Sequence, residues 1–287
     1  MSALGASTLL AVAVLTLAPA SAAFPLAAQA PTATLFTDPT GDSGVAPDIT
    51  EVSVGNDVLT GNIVIWIDTP YRRTAFSTDL MTVFFDTDMN PSTGDPEFAG
   101  SEYAAQVLHG AALFRWSGSA MAEVPAPTLD YLFATERRSL RVSIHPNDIG
   151  GTRAFNFYLV SALEGQSATD VAPDGGAWSY SLVSEPLRLS VVGFATTKVA
   201  RAGKPFSAII DVGRDDTNDI LDATGTRIRC SLKVGKKTVA AYQLSGIFTA
   251  GCEGRIPKKA KRQKLRMKIS LKFGGVSISR TFAAKIR

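Results

Sequence analysis

The sequence has few of the residues that most catalytic and metal sites require. Its 287 residues include two Cys and two His, and if the two Cys form a disulfide, the remaining His are too few for a zinc site. The Gly-x-Ser-x-Gly, His-Glu-x-x-His and phosphate-binding Gly-Lys patterns are also missing. We therefore predict a protein that catalyses nothing. A glycosidase carboxylate pair is the catalytic alternative left open, because sequence alone does not give the separation of two carboxylates.

Long hydrophobic runs are also missing, since a membrane-spanning helix takes about 20 apolar residues. The run Leu9–Leu17 is short, and Pro19 and the cleavage pattern Ala20-Ser21-Ala22 follow it. A second such pattern occupies Ala28–Ala30. We predict that residues 1–30 are a signal peptide and leader, and that the protein is secreted or associated with the cell envelope. No Lys or Arg precedes the run, so an uncleaved apolar tail is the alternative.

Lysine is absent from residues 1–187, which hold 7 Arg and 20 Asp or Glu, a formal balance of −13. Residues 188–287 hold 22 Lys or Arg and 6 Asp or Glu, a balance of +16. Such asymmetry is typical of two surfaces with different partners. We expect the acidic half to bind cations. The basic run at 258–264 predicts a solvated loop or a contact with an anionic envelope surface, and no nucleic acid is expected outside the cell.

Cys230 and Cys252 both lie in the basic half. In an oxidising compartment an even pair of cysteines predicts a disulfide. Two buried free thiols are the alternative if the chain is not exported.

Short stretches of β-branched and aromatic residues recur between Gly, Pro, Asp and Asn clusters, which predicts strands and turns. In Asn62–Asp68, three isoleucines alternate with Val64 and Trp66. A Gly274-Gly275 turn predicts a hairpin, with apolar residues on one face and basic residues on the other. We predict an all-β chain of two β-sandwich domains, at 31–187 and 188–287. Further predicted strands are Leu80–Asp86, Tyr103–Leu108, Ala111–Trp116, Ser139–Ile144, Ala154–Ser161, Leu189–Phe194, Phe206–Val212, Arg227–Val234 and Lys264–Phe273.

Oxygen-bearing side chains alternate directly after the strand predicted at Leu80–Asp86. A curled loop can direct such side chains at one centre, as Ca²⁺ requires. Pro91 stands where an EF-hand loop has Gly, so we do not expect an EF-hand. Asx residues that cap a turn are the alternative interpretation. The predicted calcium ligands are Asp86, Asp88 and Asn90, with Asp95, Glu97 and Glu102 as further candidates.

Two more acidic clusters lie at the ends of the first predicted domain. First and last strands often lie together in a sandwich, so the two clusters could share a second cation. Ordinary turn aspartates are an equal alternative. The residues of this tentative second site are Asp38, Asp42, Asp48, Asp170 and Asp174.

The first domain resembles the DOMON-like group, which includes family 9 carbohydrate-binding modules. The resemblance covers about residues 33–187 and is carried by Phe85-Asp86-Thr87-Asp88-x-Asn90-Pro91-x-Thr93-Gly94, by Gly100-Ser101-Glu102-Tyr103 and by Ala172-Pro173-Asp174-x-Gly176-x-Trp178. It implies a calcium-supported sandwich, jelly-roll-like in form, that presents a ligand site. Members commonly have Asp where this chain has Glu102. Some relatives hold haem between Met and His, for which Met81 or Met89 with His109 or His145 would be candidates. We do not expect haem, since lone Met and His residues usually pack or face solvent.

Residues 188–287 resemble a small immunoglobulin-like module of bacterial secreted proteins. The resemblance rests on Cys230, on Gly251-Cys252-x-x-x-Ile256-Pro257 and on Ser279-Arg280-x-Phe282, and it implies no activity.

Sugar binding needs flat aromatic rings on which pyranoses stack, so aromatic residues of the first domain are the ligand candidates. Packing in the core is the alternative role for each of them. We predict a secreted, calcium-stabilised binding protein whose ligand is an extracellular carbohydrate or another small ligand. A structural envelope or adhesion protein without a small ligand is the alternative. The candidate ligand-binding residues are Trp66, Tyr71, Tyr103, Trp116 and Trp178.

Overall fold

A computed structural model describes residues 33–69, 79–134, 138–222, 226–246 and 249–287. The chain is all-β over these ranges, with strands joined by turns and two short 3₁₀ helices. The predicted signal peptide and leader at 1–30 lie outside the described residues, as does Tyr71. Among the described residues, none of the helices has the length and apolar character needed to cross a bilayer.

The strands fall into two groups, each of which forms two antiparallel sheets. The N-terminal group consists of β1 (Thr34–Thr37), β2 (Glu51–Asn56), β3 (Ile63–Asp68), β4 (Asp79–Asp86), β5 (Tyr103–Leu108), β6 (Gly110–Trp116), β7 (Met121–Val124), β8 (Asp130–Ala134), β9 (Ser139–Ile144), β10 (Ala154–Leu163), β11 (Thr169–Ala172) and β12 (Trp178–Ser181). The C-terminal group consists of β13 (Leu189–Thr196), β14 (Pro205–Arg214), β15 (Arg227–Val234), β16 (Lys237–Val239), β17 (Tyr242–Gly246), β18 (Thr249–Arg255), β19 (Lys264–Phe273) and β20 (Val276–Lys285). The 3₁₀ helices span Pro96–Phe98 and Pro146–Ile149.

The N-terminal sheets have the strand orders β1-β2-β3-β9-β8 and β11-β10-β4-β5-β6-β7, and β12 pairs with β10. Every second residue of the central strands is buried between the two sheets, as the two-residue period of a strand requires. Ile63, Ile65 and Ile67 of β3 are fully buried opposite Phe85 and Phe157 of the other sheet. The two sheets therefore form a sandwich around one core, which we call the N-terminal sandwich.

The C-terminal sheets have the orders β13-β14-β18-β17 and β16-β15-β19-β20. Their common core includes Ile210 of β14 together with Met267 and Ile269 of β19. Cys230 of β15 and Cys252 of β18 form a disulfide that joins the two sheets, with their Cα atoms 5.6 Å apart. The predicted disulfide is confirmed, and these sheets form the C-terminal sandwich.

The segment after β14 lies against the outer face of the first N-terminal sheet. The indole N–H of Trp66 donates to Asp219 Oδ1 over 2.7 Å, and Arg141 Nε donates to the same oxygen over 3.1 Å. A Cβ atom on Gly55 would overlap the carbonyl oxygen of Asp216, so only glycine allows this approach. Outer-face positions of β2, β3 and β9 are thus buried by the junction between the two sandwiches.

Arg214, at the end of β14, is the centre of the same junction. Its guanidinium donates to Asp216 over 2.7 Å and to Asp57 over 2.6 Å, and its side chain is 8 % exposed. The backbone N–H of Val58 donates to Asp216 Oδ2 over 3.1 Å. Burial raises the pKa of Asp57, but the hydrogen bonds and charge of Arg214, together with the backbone donors Leu59 and Thr60, outweigh burial and hold that pKa below its usual value. One buried cation therefore links a turn of the N-terminal sandwich to the C-terminal sandwich.

The all-β fold class is confirmed, and every strand predicted from sequence is present, with some strand ends shifted by one or two residues. The Gly274-Gly275 hairpin joins β19 to β20 as predicted, and both glycines have positive φ, at +53° and +83°. Leu265, Met267 and Ile269 of β19 are buried, while Lys264, Arg266 and Lys268 between them are exposed. The predicted division into an apolar and a basic face is therefore confirmed for this strand.

Candidate functional site

The Asp86 cluster lies where β4 leaves the second N-terminal sheet. Carboxylate oxygens of Asp86, Asp88 and Glu102 lie within 4.8 Å of one another. Two oxygens that share one Ca²⁺ at about 2.4 Å are at most about 5 Å apart, so this spacing suits a calcium ion. Asp86 is buried at the end of its strand, whereas Asp88 is exposed in the loop. Three of the six predicted ligands thus lie together.

The oxygens of this cluster already accept hydrogen bonds from the protein. The backbone N–H of Asn90 donates to Asp86 and Asp88, and the Thr93 hydroxyl lies within hydrogen-bond distance of both Asp88 and Glu102. Burial raises the pKa of Asp86, with opposing hydrogen bonds from Asn156 and Asn90 and further upward contributions from Asp88 and Glu102. The cluster is therefore largely satisfied by the protein's own donors.

The other three residues predicted at this site have different local contacts. Asp95 accepts from the Glu97 backbone N–H over 2.9 Å and begins the helix Pro96–Phe98, which leaves the Glu97 side chain exposed. Asn90 Oδ1 accepts from the Ser92 N–H over 3.2 Å, as in an Asx turn. Neither Asp95 nor Glu97 belongs to the group of carboxylates around Asp86. The twelve-residue EF-hand spacing from Asp86 to Glu97 is interrupted by this short helix.

A second cluster joins two loops that are far apart in sequence. Asp38 follows β1, Asp42 lies in the turn after it, and Asp174 follows β11, with carboxylate oxygens within 4.8 Å of one another. Asp48 accepts from the Gly41 N–H over 3.1 Å, and Asp170 accepts from the Ile49 N–H over 2.6 Å. The structure therefore brings together three of the five residues that we grouped tentatively, and the other two brace the neighbouring backbone.

Asp38 differs from every other residue of the two clusters. Its side chain is 7 % exposed, and neither carboxylate oxygen has a hydrogen-bond partner among the described residues. Burial, followed by the nearby charges of Asp170, Asp174 and Asp42, raises the pKa of Asp38 to about 6. The backbone of Asp174 lowers this pKa only slightly, in keeping with the lack of a well-formed hydrogen bond. A buried, unpaired carboxylate is costly unless a cation or a proton neutralises it.

Two predicted ligand-binding aromatics are buried. Trp66 is 5 % exposed at the junction between the sandwiches, and Tyr103 is 7 % exposed in the N-terminal core. Trp178 is half-buried, and its ring packs 5.3 Å from Phe36 and 5.6 Å from Phe157. These positions favour packing, which was the alternative role, over stacking on a sugar ring.

Trp116 has a different setting, on the outer face of the second N-terminal sheet. On that face Phe84 stacks on Tyr158 at 4.8 Å and on Phe98 at 4.5 Å between ring centroids. Half-buried Phe114 and Met121 pack against this group, and Met121 pairs across strands with Trp116. We call Phe84, Phe98, Phe114, Met121, Tyr158 and Trp116 the aromatic face. This face could not be predicted from the sequence, because the alternation in β4 and β10 does not show which strands become neighbours.

The haem candidates lie on separate elements. Met81 is in the N-terminal core, while Met89 is exposed in the Asp86 loop. His109 lies at the turn between β5 and β6 and contacts Glu164 over 3.2 Å, and His145 caps the helix Pro146–Ile149. These placements give haem no structural support.

The described residues thus provide two carboxylate clusters at loops of the N-terminal sandwich and an aromatic face beside one of them. A search of models of known protein families and of curated proteins found nothing that matches the chain.

Proposed function

We propose that the protein is an exported, non-catalytic binding protein whose N-terminal sandwich is stabilised by calcium. The observation that carries this proposal is the buried Asp38 carboxylate, which has no hydrogen-bond partner among the described residues and lies beside Asp42 and Asp174. Oxygen-only ligands from flexible loops are characteristic of Ca²⁺ sites. An ion held by Asp38 and Asp174 would tie the loop after β1 to the loop after β11, at opposite ends of this sandwich in sequence.

Calcium is a better partner for this cluster than hydrogen bonds alone. Three carboxylates within 4.8 Å repel one another when all are ionised, and the raised pKa of Asp38, about 6, reflects that repulsion together with burial. A divalent ion neutralises the group and supplies the missing partner for both Asp38 oxygens. We rank this site above the Asp86 cluster, whose oxygens are already occupied by protein donors.

The first prediction is that calcium raises the melting temperature of the protein at pH 7.5 by roughly 5–10 °C. At a hundred times the dissociation constant, a ligand adds about 2.7 kcal/mol, and each kcal/mol shifts a sandwich of this size by about 2–4 °C. Asp38→Asn should abolish most of this shift. The same variant should melt higher than the wild type in EDTA, because it removes a buried unpaired charge. Scanning calorimetry with calcium and with EDTA measures both effects.

Asp88→Asn is the matched control, because it removes one carboxylate from the Asp86 cluster and leaves Asp38 intact. It should retain most of the calcium shift.

The pH dependence provides a second control. The pKa of Asp38 is raised, so without calcium its destabilising charge appears as the pH rises through about 6 and is absent in acid. The calcium shift should therefore be much smaller at pH 5 than at pH 7.5. Equal melting temperatures of the wild type in calcium and EDTA at pH 7.5 would refute the proposal.

The aromatic face favours carbohydrate as the ligand of this binding protein. Its half-buried rings, Phe98, Phe114 and Trp116, present surfaces on which pyranose rings can stack, while Phe84 and Tyr158 are buried and support them. Phe98 belongs to the loop that carries the Asp86 cluster and stacks on Phe84 of β4. The position of the Phe98 ring therefore depends on the position of this loop, and a cation bound to the loop would hold Phe98 in place.

The second prediction is that Trp116→Ala lowers the affinity for a polysaccharide bound by the wild type about tenfold, equivalent to about 1.4 kcal/mol. A panel of insoluble and soluble polysaccharides in pull-down and affinity electrophoresis measures this loss. Tyr242→Ala is the control, since Tyr242 is an exposed aromatic of the C-terminal sandwich. A calcium shift without binding to any member of the panel would favour the alternative, a structural envelope or adhesion protein.

A further inference from the structure

One face of the C-terminal sandwich is uniformly basic. In the sheet β16-β15-β19-β20, the core-facing residues of β15 and β19 are buried and the intervening residues point outward. Besides basic residues, the outward positions of β15, β19 and β20 hold only Ser, Thr and Ala. The basic face consists of Arg227, Arg229, Lys233, Lys264, Arg266, Lys268, Lys272 and Lys285.

No carboxylate balances these charges within the sheet. The four strands contain no Asp or Glu. The acidic residues of the C-terminal sandwich are elsewhere, with Asp211 on β14, Glu253 on β18 and the others in the segment 215–222 at and beyond the junction. Among the described residues, none of the recorded ion pairs involves a member of the basic face. The face therefore projects an uncompensated positive field into solvent.

Like charges also lie directly opposite one another across neighbouring strands. Arg227 pairs with Lys272, and Lys233 pairs with Arg266. Lys264 pairs with Lys285 on the other side of β19. Facing like charges destabilise a sheet, and opposite charges or uncharged polar residues at these exposed positions would relieve the repulsion. A soluble surface does not require three like-charge pairs, because a surface with interspersed positive and negative charges is equally soluble.

The basic face continues into a cavity at one end. The cavity, of about 560 Å³, is lined by the basic residues Lys198, Lys261, Arg262, Lys285 and Arg287, together with Val199, Ala200, Ala284 and Ile286. Lys285 belongs to both the cavity and the basic face. From Lys272 to Lys264 the face extends for about 27 Å along β19, at about 3.4 Å per residue. Positive charges are thus arranged along a line that ends in a basic pocket.

We propose that the basic face binds a linear extracellular polyanion that carries phosphate or sulfate groups. Outward residues of β19 recur every ~7 Å, so a chain of anionic groups laid along the strand meets one cation after another. The large exposed hydrophobics of this sandwich include Val192, Phe194 and Tyr242, which lie on the opposite sheet. The basic face therefore offers no apolar anchor of the kind that inserts into a lipid bilayer, and a polymer suits it better than a membrane.

The test compares two charge-matched triple variants of the full chain, with fluorescein-labelled polyphosphate and heparin as probes. Lys264→Gln/Lys268→Gln/Lys272→Gln neutralises the outward lysines of β19, and Lys204→Gln/Lys258→Gln/Lys259→Gln neutralises three exposed lysines outside the basic face. Both lower the net charge by the same amount. The first variant should bind at least tenfold more weakly at 50 mM salt, and the slope of log K against log salt should flatten by about 2 to 3, near one per lost contact. The control should retain wild-type affinity and slope.

Polyphosphate and heparin distinguish phosphate from sulfate as the preferred group, and either preference supports the proposal. Binding should persist in EDTA, which separates it from the calcium sites of the N-terminal sandwich. Calorimetry should show that the β19 variant is folded and melts no lower than the wild type, because it removes like-charge pairs. Equal weakening by both triple variants would overturn the proposal, and so would wild-type binding to neither polymer. Stronger binding to anionic phospholipid vesicles than to either polymer would indicate a membrane surface instead.

Discussion

Replacing Arg214 with alanine is expected to lower the free energy of unfolding by about 3–5 kcal/mol, among the largest effects of any single substitution in this chain. The guanidinium is 8 % exposed and donates to Asp57 over 2.6 Å and to Asp216 over 2.7 Å. Without it, two carboxylates stay buried with no cation beside them. The backbone donors Leu59 and Val58 reach one carboxylate each, and these bonds do not neutralise either charge.

Loss of the Arg214 guanidinium should change the number of unfolding transitions as well as lower the melting temperature. Asp57 belongs to the turn after β2, and Arg214 ends β14, so the pair links the two sandwiches directly. At about 2–4 °C per kcal/mol, the first transition should fall by roughly 10 °C or more. With the junction weakened, the two sandwiches should unfold in two resolved transitions, whereas the wild type should unfold in one. Differential scanning calorimetry records both quantities.

Arg188→Ala is the control for this prediction. Arg188 pairs with Glu185 over 3.2 Å, but both side chains are 43 % exposed. Exposed pairs contribute little, so the change should be within about 0.5 kcal/mol. If Arg214→Ala and Arg188→Ala gave the same melting temperature and the same number of transitions, the buried Arg214 pair would not stabilise the junction.

Local patterns in the sequence were sufficient to predict about half of the strands. The strands that were not predicted are β1, β2, β7, β8, β11, β12, β16, β17 and β18. Alternation in Lys264–Phe273 identifies both faces of β19, and two glycines identify the following turn, because period two and positive φ are properties of short segments. The same alternation in Asn62–Asp68 predicts that Trp66 lies on the face opposite the isoleucines. It does not predict that Asp219, 153 residues away, covers that face. Burial of Trp66 depends on how the two sandwiches meet, which no local pattern contains.

The carboxylate clusters also differ in what the sequence predicts. Contacts within a short segment could be predicted, whereas features that depend on the folded arrangement could not. The spacing of Asp86 and Asp88 predicts that their oxygens can converge, and the structure places them with Glu102. Counting along the chain fails for Glu97, because Asp95 begins a short helix and turns the chain away. Asp38 and Asp174 were grouped only because the first and last strands of a sandwich tend to be neighbours. Their difference from the Asp86 cluster, the lack of donors around Asp38, becomes visible only in the folded arrangement.

Opening the disulfide is expected to destabilise the C-terminal sandwich by about 3 kcal/mol, from the entropy of closing a loop of 22 residues. Cys230 and Cys252 are on β15 and β18, in different sheets, so the bond crosses the core. Few residues separate the two cysteines for a disulfide that joins two sheets. This short separation is sufficient here because only the short strands β16 and β17 lie between β15 and β18. The loop is constrained in the unfolded chain, while the native core contains the fully buried Cys252 in either redox state.

Calorimetry with and without dithiothreitol measures this effect, and the Cys230→Ala/Cys252→Ala variant provides the control. Reduction should lower the melting temperature of the wild type by roughly 12–24 °C, at about 4–8 °C per kcal/mol for a domain of about 100 residues, and should leave that of the variant unchanged. Cys252 pairs across strands with Ala208 of β14, and Arg214 lies six residues further along that strand, about 20 Å away at about 3.4 Å per residue. The effects of reduction and of Arg214→Ala should therefore add within about 0.5 kcal/mol. If reduction did not change the wild-type melt, the bond would contribute nothing to the stability of the sandwich, and the link between the cysteine pair and an oxidising compartment would lose its physical basis.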